Sequence, residues 1–245
     1  MFYMKILKGR TPEEVGSLAA DEFERVMNRK ANCVVGLATG STPLPIYREL
    51  IRREKKGTLS FSHVRSVNLD EYVGLAGQNP QSYRYYMENN LFKYVSIKAE
   101  NILIPDGLAE NREAQCMEYE HKIDAWGGID IQLLGIGHNG HIGFNEPCDY
   151  FPVSTHEVKL SEKTRMANRR FFKLHEEVPR WAITVGIGTI MSAKQIVMVA
   201  VGRDKAEILK KAFLGNVTPK VPASILRFHP NVTLICDEAA YWKNI

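Results

Sequence analysis

The chain has 245 residues, of which 44% are hydrophobic and 24% are charged, and its formal net charge is +4. These proportions are those of an ordinary soluble globular protein. The positive charges are spread along the sequence, which argues against nucleic acid as a partner and leaves an anionic small molecule as the expected ligand. The sequence shows no signal peptide and no membrane span, so we expect no membrane association.

The four cysteines lie far apart and form no CxxC pair. This spacing is typical of reduced thiols, and we predict a cytoplasmic protein. Cys33 and Cys236 lie within apolar runs and are interpreted as core residues. Cys116 falls on the apolar side of a helical pattern. Cys148 borders a glycine-containing loop, and we interpret it as structural rather than reactive.

Strand-like apolar runs alternate with helical patterns along the chain. Thr11 followed by Pro12 is a helix-start signature, and Thr42 with Pro43 repeats it before the second helix. Such alternation predicts one α/β domain over residues 1–245, with an open, doubly wound (Rossmann-like), mainly parallel sheet and helices on both faces. The predicted strands are 2–8, 32–38, 64–69, 129–137, 181–188, 195–201 and 231–237.

Two predicted strand ends carry acid–base side chains. Asp70 and Glu71 follow the run 64–69, and His141 and Glu146 follow the run 129–136. Because the carboxyl ends of parallel strands border one crevice, these groups predict proton-transfer chemistry on a small molecule. Adjacent side chains of an extended segment diverge, so only one of the two acids is expected to face the site. The structural alternative for Asp70 is a capping or turn residue.

Residues 135–140 (GIGHNG) match the GxGxxG pattern of dinucleotide-binding folds. Those folds need a helix to begin immediately, and the glycine and prolines of residues 143–152 predict none, so we reject a nicotinamide site. His138, His141 and Glu146 have no standard zinc-ligand spacing. A proton-transfer role for His141 fits better, because an imidazole with its ordinary pKa of about 6.5 exchanges protons near neutral pH.

Two further segments are candidate anion contacts. GLATGSTP (36–43) is a strand, a glycine turn and a helix start, and a helix N-terminus attracts negative charge. TRMANRRFF (164–172) carries three arginines, of which one could clamp a phosphate, although a solvated helix face is the alternative. Lys205 begins a predicted helix, where the helix dipole disfavours a cation unless an anion binds nearby. A capped turn without a ligand is the alternative for residues 36–43.

Over nearly its whole length the sequence resembles the glucosamine-6-phosphate deaminases of the glucosamine/galactosamine-6-phosphate isomerase family. The resemblance runs through ATGSTP, NLDEYVGL, GIGHNGHIGFNEP, TRMANRRFF, VGRDKA and LRFHPNVTLICDE, and DEYVGL and GHIGFNEP are long and specific. It implies a single deaminase domain that acts on an amino-sugar phosphate. The implied reaction converts glucosamine 6-phosphate to fructose 6-phosphate and ammonia without a metal or organic cofactor.

The resemblance also implies a role for each candidate residue. Asp70 matches the base that moves a proton between C2 and C1 of the open-chain sugar. His141 matches the ring-opening residue and Glu146 its acidic partner. The segment around residues 160–175 resembles the mobile lid of the family. The implied phosphate contacts are Thr39, Gly40, Ser41, Thr42, Arg170 and Lys205.

Two departures from the family pattern shape the expectations. Asn139 stands where many relatives have aspartate, so it can orient His141 by a hydrogen bond but cannot stabilise an imidazolium by charge, and Glu146 is expected to carry more of that pairing. The chain ends at residue 245, earlier than the allosteric hexameric members, which predicts a monomer or small homo-oligomer without that control. Two other functions stay open: a 6-phosphogluconolactonase-like hydrolase, which needs no enolising carboxylate, and a non-catalytic sugar-phosphate sensor.

Overall fold

The computed structural model describes residues 4–173 and 176–244. The strands are β1 (Lys5–Gly9), β2 (Val34–Leu37), β3 (Arg65–Asn68), β4 (Asp70–Tyr72), β5 (Ile102–Leu103), β6 (Ile131–Leu134), β7 (His156–Lys159), β8 (Trp181–Thr184), β9 (Ile196–Ala200) and β10 (Val232–Asp237). The helices are α1 (Pro12–Arg29), α2 (Leu44–Lys55), α3 (Tyr83–Asn90), α4 (Arg112–Ala125), α5 (Glu162–Asn168), α6 (Ile187–Met191) and α7 (Ala206–Leu214).

Seven strands form the main sheet in the order β1–β10–β9–β6–β2–β3–β5, and all neighbouring strands in it are parallel. β2, β6 and β9 are buried along their whole length, as expected when both faces of a parallel sheet are covered. Cys33 and Cys236 lie in the main hydrophobic core, as predicted. The mostly parallel sheet with surrounding helices confirms the predicted fold class.

One predicted strand was assigned to the wrong sheet. β8 does not continue the parallel series, because it lies at the centre of a separate antiparallel sheet, β4–β8–β7. The chain leaves the main sheet after Asn68 and at once pairs with β8, starting at Asp70 opposite Thr184. β7 alternates between half-buried and exposed residues, which is typical of an antiparallel strand with one solvated face.

The two helix-start signatures behave differently. Thr11 caps α1 as predicted, and its Oγ1 accepts a hydrogen bond from the backbone N–H of Glu14 at 3.1 Å. The cap predicted at Thr42 is wrong, because Pro43 precedes α2 with helical φ and ψ of −72° and −17° and no side chain caps that helix. Residues 41–44 form a turn instead, in which the N–H of Leu44 donates to the carbonyl of Ser41 at 3.4 Å.

The strand order places the predicted site segments together. β9, β6, β2 and β3 are consecutive in the sheet, so the loops that follow them leave from one edge. These loops carry residues 201–205, 135–141, 39–42 and 70, respectively. No helix starts directly after residues 135–140, since α5 is the next one described, which agrees with the rejection of a nicotinamide site. Among the described residues, no helix is long and apolar enough to cross a membrane.

Candidate active site

A cleft of about 530 Å³ opens at this edge of the sheet, a volume that suits a small-molecule ligand. Loops after β2, β3, β6 and β9 form one side, and α5 with the 3₁₀ turn that follows it forms another. Of the predicted site residues, Glu146 alone does not line the cleft. The others do: Thr39, Gly40, Ser41, Thr42, Asp70, Asn139, His141, Arg170 and Lys205.

Asp70 is the first residue of β4, where the chain turns away from the main sheet. Only 7% of its surface is exposed, although it lines the cleft. Burial, and secondly the negative charge of Glu71, raises the pKa of Asp70 to about 8. A carboxyl group with a pKa near the working pH can both accept and donate a proton, which is what a shuttling base requires.

Glu71 faces away from the cleft, as expected for the neighbour of Asp70 in an extended segment. Its carboxylate accepts hydrogen bonds from the backbone N–H groups of Tyr72, Tyr83 and Arg84 at 2.8–2.9 Å. The last two of these groups belong to the first turn of α3, where an anion is favoured. Glu71 therefore anchors α3 to β4.

The turn at residues 39–42 has the features of an anion site. Gly40 has a φ of +99°, a conformation that favours glycine, and its carbonyl accepts a hydrogen bond from the Tyr86 hydroxyl at 2.5 Å. The Tyr47 hydroxyl donates to the carbonyl of Ala38 at 2.5 Å, which fixes the start of the turn. Within the described ranges, the backbone N–H groups of residues 39–42 donate no hydrogen bond to protein. They remain available to an anion at the start of α2.

Two cationic side chains, Lys205 and Arg170, line the cleft together with the turn at residues 39–42. Lys205 directly precedes α7, and its Nζ lies 3.4 Å from Nε2 of His138 and 3.9 Å from Oδ2 of Asp204. Burial lowers the pKa of Lys205, Asp204 opposes that change and the positive charge of Arg170 adds to it. Both cations line the cleft, so their positive charges favour an anion at this end of it.

Of the three arginines in residues 164–172, Arg170 is the one that lines the cleft. Its guanidinium lies over the Phe171 ring, 4.8 Å from the ring centroid. Arg165 is engaged elsewhere, with Glu162 at 3.0 Å and with the carbonyl of Val178. Arg169 bonds to backbone carbonyls of the following turn. The structure thus separates one candidate phosphate contact from two structural arginines.

His141 is held in the loop after β6 by a close approach to Gly137. A Cβ atom at position 137 would lie 2.3 Å from the His141 ring, so only glycine fits there. Burial is the largest cause that lowers the pKa of His141, Glu146 opposes it, and Lys205 and His138 lower it further. The imidazole is therefore neutral near pH 7 and can accept a proton.

Asn139 forms a hydrogen bond to His141, through the backbone of that residue and not through its ring. Its Oδ1 accepts a hydrogen bond from the backbone N–H of His141 at 3.2 Å, and its Nδ2 donates to Oε2 of Glu146 at 2.7 Å. Glu146 Oε1 is 3.9 Å from His141 Nδ1, beyond hydrogen-bond distance, and that buried nitrogen has no hydrogen-bond partner among the described residues. Asn139 thus orients Glu146 and the loop backbone. Its amide nitrogen and oxygen are engaged in these two hydrogen bonds, and neither of the bonds is to the imidazole ring.

Several site residues were not singled out from the sequence. Ser161 and Thr164 both donate hydrogen bonds to Oε1 of Glu146. Tyr72 and Tyr83 line the cleft beside Asp70 and contact one another, with hydroxyl oxygens 3.3 Å apart. Thr164 and Tyr72 lie inside the segments TRMANRRFF and NLDEYVGL, so the motifs predicted the right segments without identifying these two residues.

The residues considered for other chemistry take different positions. His138 pairs with Asp204, at 2.7 Å between Nε2 and Oδ2, rather than with His141. No group of three or more His, Cys, Asp or Glu side chains in the described part of the chain could hold a metal ion. Cys148 is half-buried outside the cleft, and its thiol donates to the carbonyl of Tyr150 at 2.8 Å.

Comparisons with known proteins show which family the sequence matches. Residues 10–235 match the family described as glucosamine-6-phosphate isomerases/6-phosphogluconolactonase. A glucosamine-6-phosphate deaminase of Thermoanaerobacter pseudethanolicus is 52% identical over 97% of this chain and 94% of its own length. One of Lachnoclostridium phytofermentans is 52% identical over 95% of this chain and 99% of its own.

Solved structures are similar to this chain for both kinds of enzyme named in that family description, the deaminases and the lactonases. A monomeric glucosamine-6-phosphate deaminase superposes with a TM-score of 0.94 at 45% identity, covering 97% of this chain and 98% of that one. The 6-phosphogluconolactonase of Thermotoga maritima has a TM-score of 0.75 at 18% identity, covering 96% of this chain and all of the other, and shows the shared fold alone. The match over residues 10–235 and the near full-length identity confirm the resemblance: the chain belongs to the glucosamine-6-phosphate isomerase/6-phosphogluconolactonase family.

Proposed function

We propose that the chain is an enzyme that converts glucosamine 6-phosphate to fructose 6-phosphate and ammonia. The observation that carries the proposal is Asp70, a buried carboxyl group with a pKa of about 8 that lines a cleft with an anion site. Relatives named glucosamine-6-phosphate deaminase, 52% identical over nearly the full chain, support the same reaction.

The phosphate binds at the end of the cleft formed by the turn at residues 39–42. Backbone N–H groups of that turn donate to the phosphate oxygens, and Arg170 and Lys205 supply the positive charge. Binding so far from the reacting carbons orients the sugar, because it fixes one end of the molecule and limits where C1 and C2 can lie.

His141 opens the sugar ring. The neutral imidazole takes the proton of the anomeric hydroxyl and returns one to the ring oxygen as the C1–O5 bond breaks, which leaves an aldehyde at C1. Glu146 stabilises the imidazolium that forms between the two transfers, and Asn139 holds Glu146 in place.

Asp70 then carries out the isomerisation. Its carboxylate takes the C2 proton, the aldehyde oxygen at C1 takes a proton from water, and a C1=C2 enolamine forms. Return of the proton from Asp70 to C1 gives an iminium at C2, water adds to it, and ammonia leaves as the C2 carbonyl of fructose 6-phosphate forms. A proton donor and acceptor placed in this way contributes about 10²–10⁴-fold to such a step.

A 6-phosphogluconolactonase-like hydrolase and a sugar-phosphate sensor are less well supported. The lactonases share the fold at 15–19% identity, and a lactonase has no use for a carboxyl group held at a pKa of about 8 to move a proton between carbons. The monomeric relative supports a monomer or small homo-oligomer for this chain. A cytoplasmic location without nucleic-acid partners completes the proposal.

The test is a stoichiometric assay of purified protein with glucosamine 6-phosphate, with and without EDTA. We expect equal amounts of ammonia and fructose 6-phosphate, unaffected by EDTA as the family resemblance implies. A parallel assay uses 6-phosphogluconolactone. Hydrolysis of the lactone without ammonia release from the amino sugar would overturn the proposal, and binding of the amino sugar without turnover would favour the sensor.

A further inference from the structure

Both oxygens of the Glu146 carboxylate accept hydrogen bonds from groups other than His141. Oε2 accepts from Asn139 at 2.7 Å, and Oε1 accepts from Ser161 at 3.2 Å and from the Thr164 hydroxyl. The same Oε1 lies 3.9 Å from Nδ1 of His141, which is buried and has no hydrogen-bond partner among the described residues. A buried ring nitrogen without a partner is unfavourable, so something must hold Oε1 away from it. The hydroxyls on Oε1 are the groups that do so.

Thr164 lies on the same continuous segment as the proposed phosphate contact. It belongs to α5, and Arg170 belongs to the 3₁₀ turn Arg169–Phe171 that directly continues that helix. Both side chains line the cleft. Asn168, between them, donates to the Tyr72 hydroxyl at 3.0 Å and thereby ties the segment to β4 beside Asp70. A displacement of the segment that brings Arg170 to a phosphate would also move the Thr164 hydroxyl relative to Glu146.

We propose that Thr164 is a positioning residue that holds Glu146 away from His141 until phosphate engages Arg170, and then releases Oε1 to His141 Nδ1. The proposal rests on the proposed function, because it assigns ring opening to His141 and Glu146. It makes formation of the acid–base pair depend on the presence of a phosphorylated sugar. Sugars without phosphate would find His141 without its partner.

The direct test is the pKa of His141 in the free enzyme, measured by NMR of histidine-labelled protein and assigned with His141→Gln. Removing the hydroxyl in Thr164→Val leaves Ser161 as the hydroxyl donor on Oε1, so that this oxygen can approach Nδ1 of His141. A carboxylate closer to an imidazole raises the pKa of the imidazole. We expect a rise of at least about 0.5 pKa unit. Thr164→Ser keeps the hydroxyl and should restore the wild-type value. An unchanged pKa in folded Thr164→Val would overturn the proposal.

Controls separate positioning from packing. Thr233→Val, in buried β10 outside the cleft, makes the same chemical change and should leave the pKa of His141 unaltered. Lys205 and His138, the other groups whose charges act on His141, are unchanged in every variant. If Thr164→Val does not fold, Ser161→Ala removes the second donor to the same oxygen, and its effect on the pKa of His141 should have the same direction.

Inorganic phosphate tests the link to Arg170. The negative charge of phosphate acts directly on His141 in wild type and in Thr164→Val alike. The informative quantity is therefore the difference between the two proteins in the phosphate-induced rise of the pKa of His141. Wild type should show the larger phosphate-induced rise in the pKa of His141, because Thr164→Val has already released Glu146. Equal rises would overturn the link. These measurements do not use turnover, so they decide the role of Thr164 even if the ammonia assay with glucosamine 6-phosphate fails.

Discussion

The buried position of Asp70 gives its carboxyl group the raised pKa that proton transfer requires, and it also lowers the free energy of unfolding at high pH. Its carboxyl group titrates near 3.8 when solvated but at about 8 in the folded protein, since burial and Glu71 disfavour the charged form. Between these values the folded protein retains a proton that the unfolded chain releases. The free energy of unfolding therefore falls as the pH rises from about 4 to about 8.

Asparagine at position 70 removes this pH dependence. We expect Asp70→Asn to be more stable than wild type at pH 8.5 by at least ~1 kcal/mol, and the difference to be much smaller at pH 4.5. Urea unfolding at both values measures it. Asp124→Asn, an exposed change in α4, is the matched control and should give no such pH-dependent difference. A stability gain that is equal at both pH values would contradict the raised pKa.

The same substitution tests the chemistry. Asp70→Asn removes the group that accepts the C2 proton, and we expect kcat to fall at least ~100-fold because a general base is lost. KM should change little, since the phosphate contacts are intact. Steady-state assay of ammonia release measures both quantities. Near-normal turnover would show that another group takes the C2 proton.

Gly137 has no side chain, and this absence leaves room for the His141 ring. Alanine there would place a Cβ 2.3 Å from the His141 ring, so the imidazole or the loop must move. We expect Gly137→Ala to lower kcat at least ~10-fold and the free energy of unfolding by about 1–3 kcal/mol, as in other overpacked sites. Gly135→Ala, whose Cβ would meet nothing within 4 Å, is the control for stability. Equal unfolding curves for the two variants would exclude the clash.

At the scale of elements, sequence patterns predicted those helices and strands whose signal lies in a short, continuous stretch of the chain. The apolar runs and the Thr11 cap predicted α1 and the strands of the main sheet other than β5, since each signal is contained in a few neighbouring residues. β8 was placed in the wrong sheet, because a four-residue apolar strand reads the same in a parallel or an antiparallel sheet and only its partner decides. The helix predicted after Thr42 is present as α2, but the cap was wrong because Pro43, with helical φ and ψ, directly precedes the helix in place of Thr42.

The candidate site shows the same limit. The charged groups at strand ends could be predicted because strand order brings those ends together. The hydrogen bonds of Glu146 to Ser161 and Thr164 could not, since they join a loop after β6 to the start of α5, which lies between β7 and β8 of the second sheet. The sequence did not predict the second sheet, so the contacts made by the helix between its strands could not be predicted either. Single-domain organisation over residues 1–245 and the assigned roles of the site residues stay predictions.

The segment formed by α5 and its 3₁₀ turn yields an element-scale prediction. Arg170→Ala removes one charge from the phosphate end of the cleft while Asp70 and His141 stay in place. We expect KM to rise about tenfold or more with kcat changed much less, as for loss of an interaction present in both ground and transition states. Arg29→Ala, in the exposed last turn of α1, is the matched control. An unchanged KM would assign Arg170 to the solvated face of the helix.

At the scale of the whole molecule, the cleft joins loops that depart from four adjacent strands and a segment tied to the second sheet. A ligand that binds there binds only the folded chain, because the turn at 39–42, Lys205 and Arg170 are far apart in sequence. Binding must then raise the free energy of unfolding in proportion to the logarithm of ligand concentration. We expect a ligand to stabilise the two sheets together, since Asp70 of β4 and the turn at residues 39–42 line the same cleft.

Inorganic phosphate should therefore stabilise the protein. At ten times its dissociation constant the expected gain is about 1.4 kcal/mol, visible as a concentration-dependent rise in Tm. Sodium chloride at matched ionic strength controls for screening of the net charge and should not reproduce the rise. Lys205→Met removes one of the two cations and should shift the response to higher phosphate concentrations. If wild type and Lys205→Met respond identically, the anion binds elsewhere, and the phosphate end of the cleft has to be assigned anew.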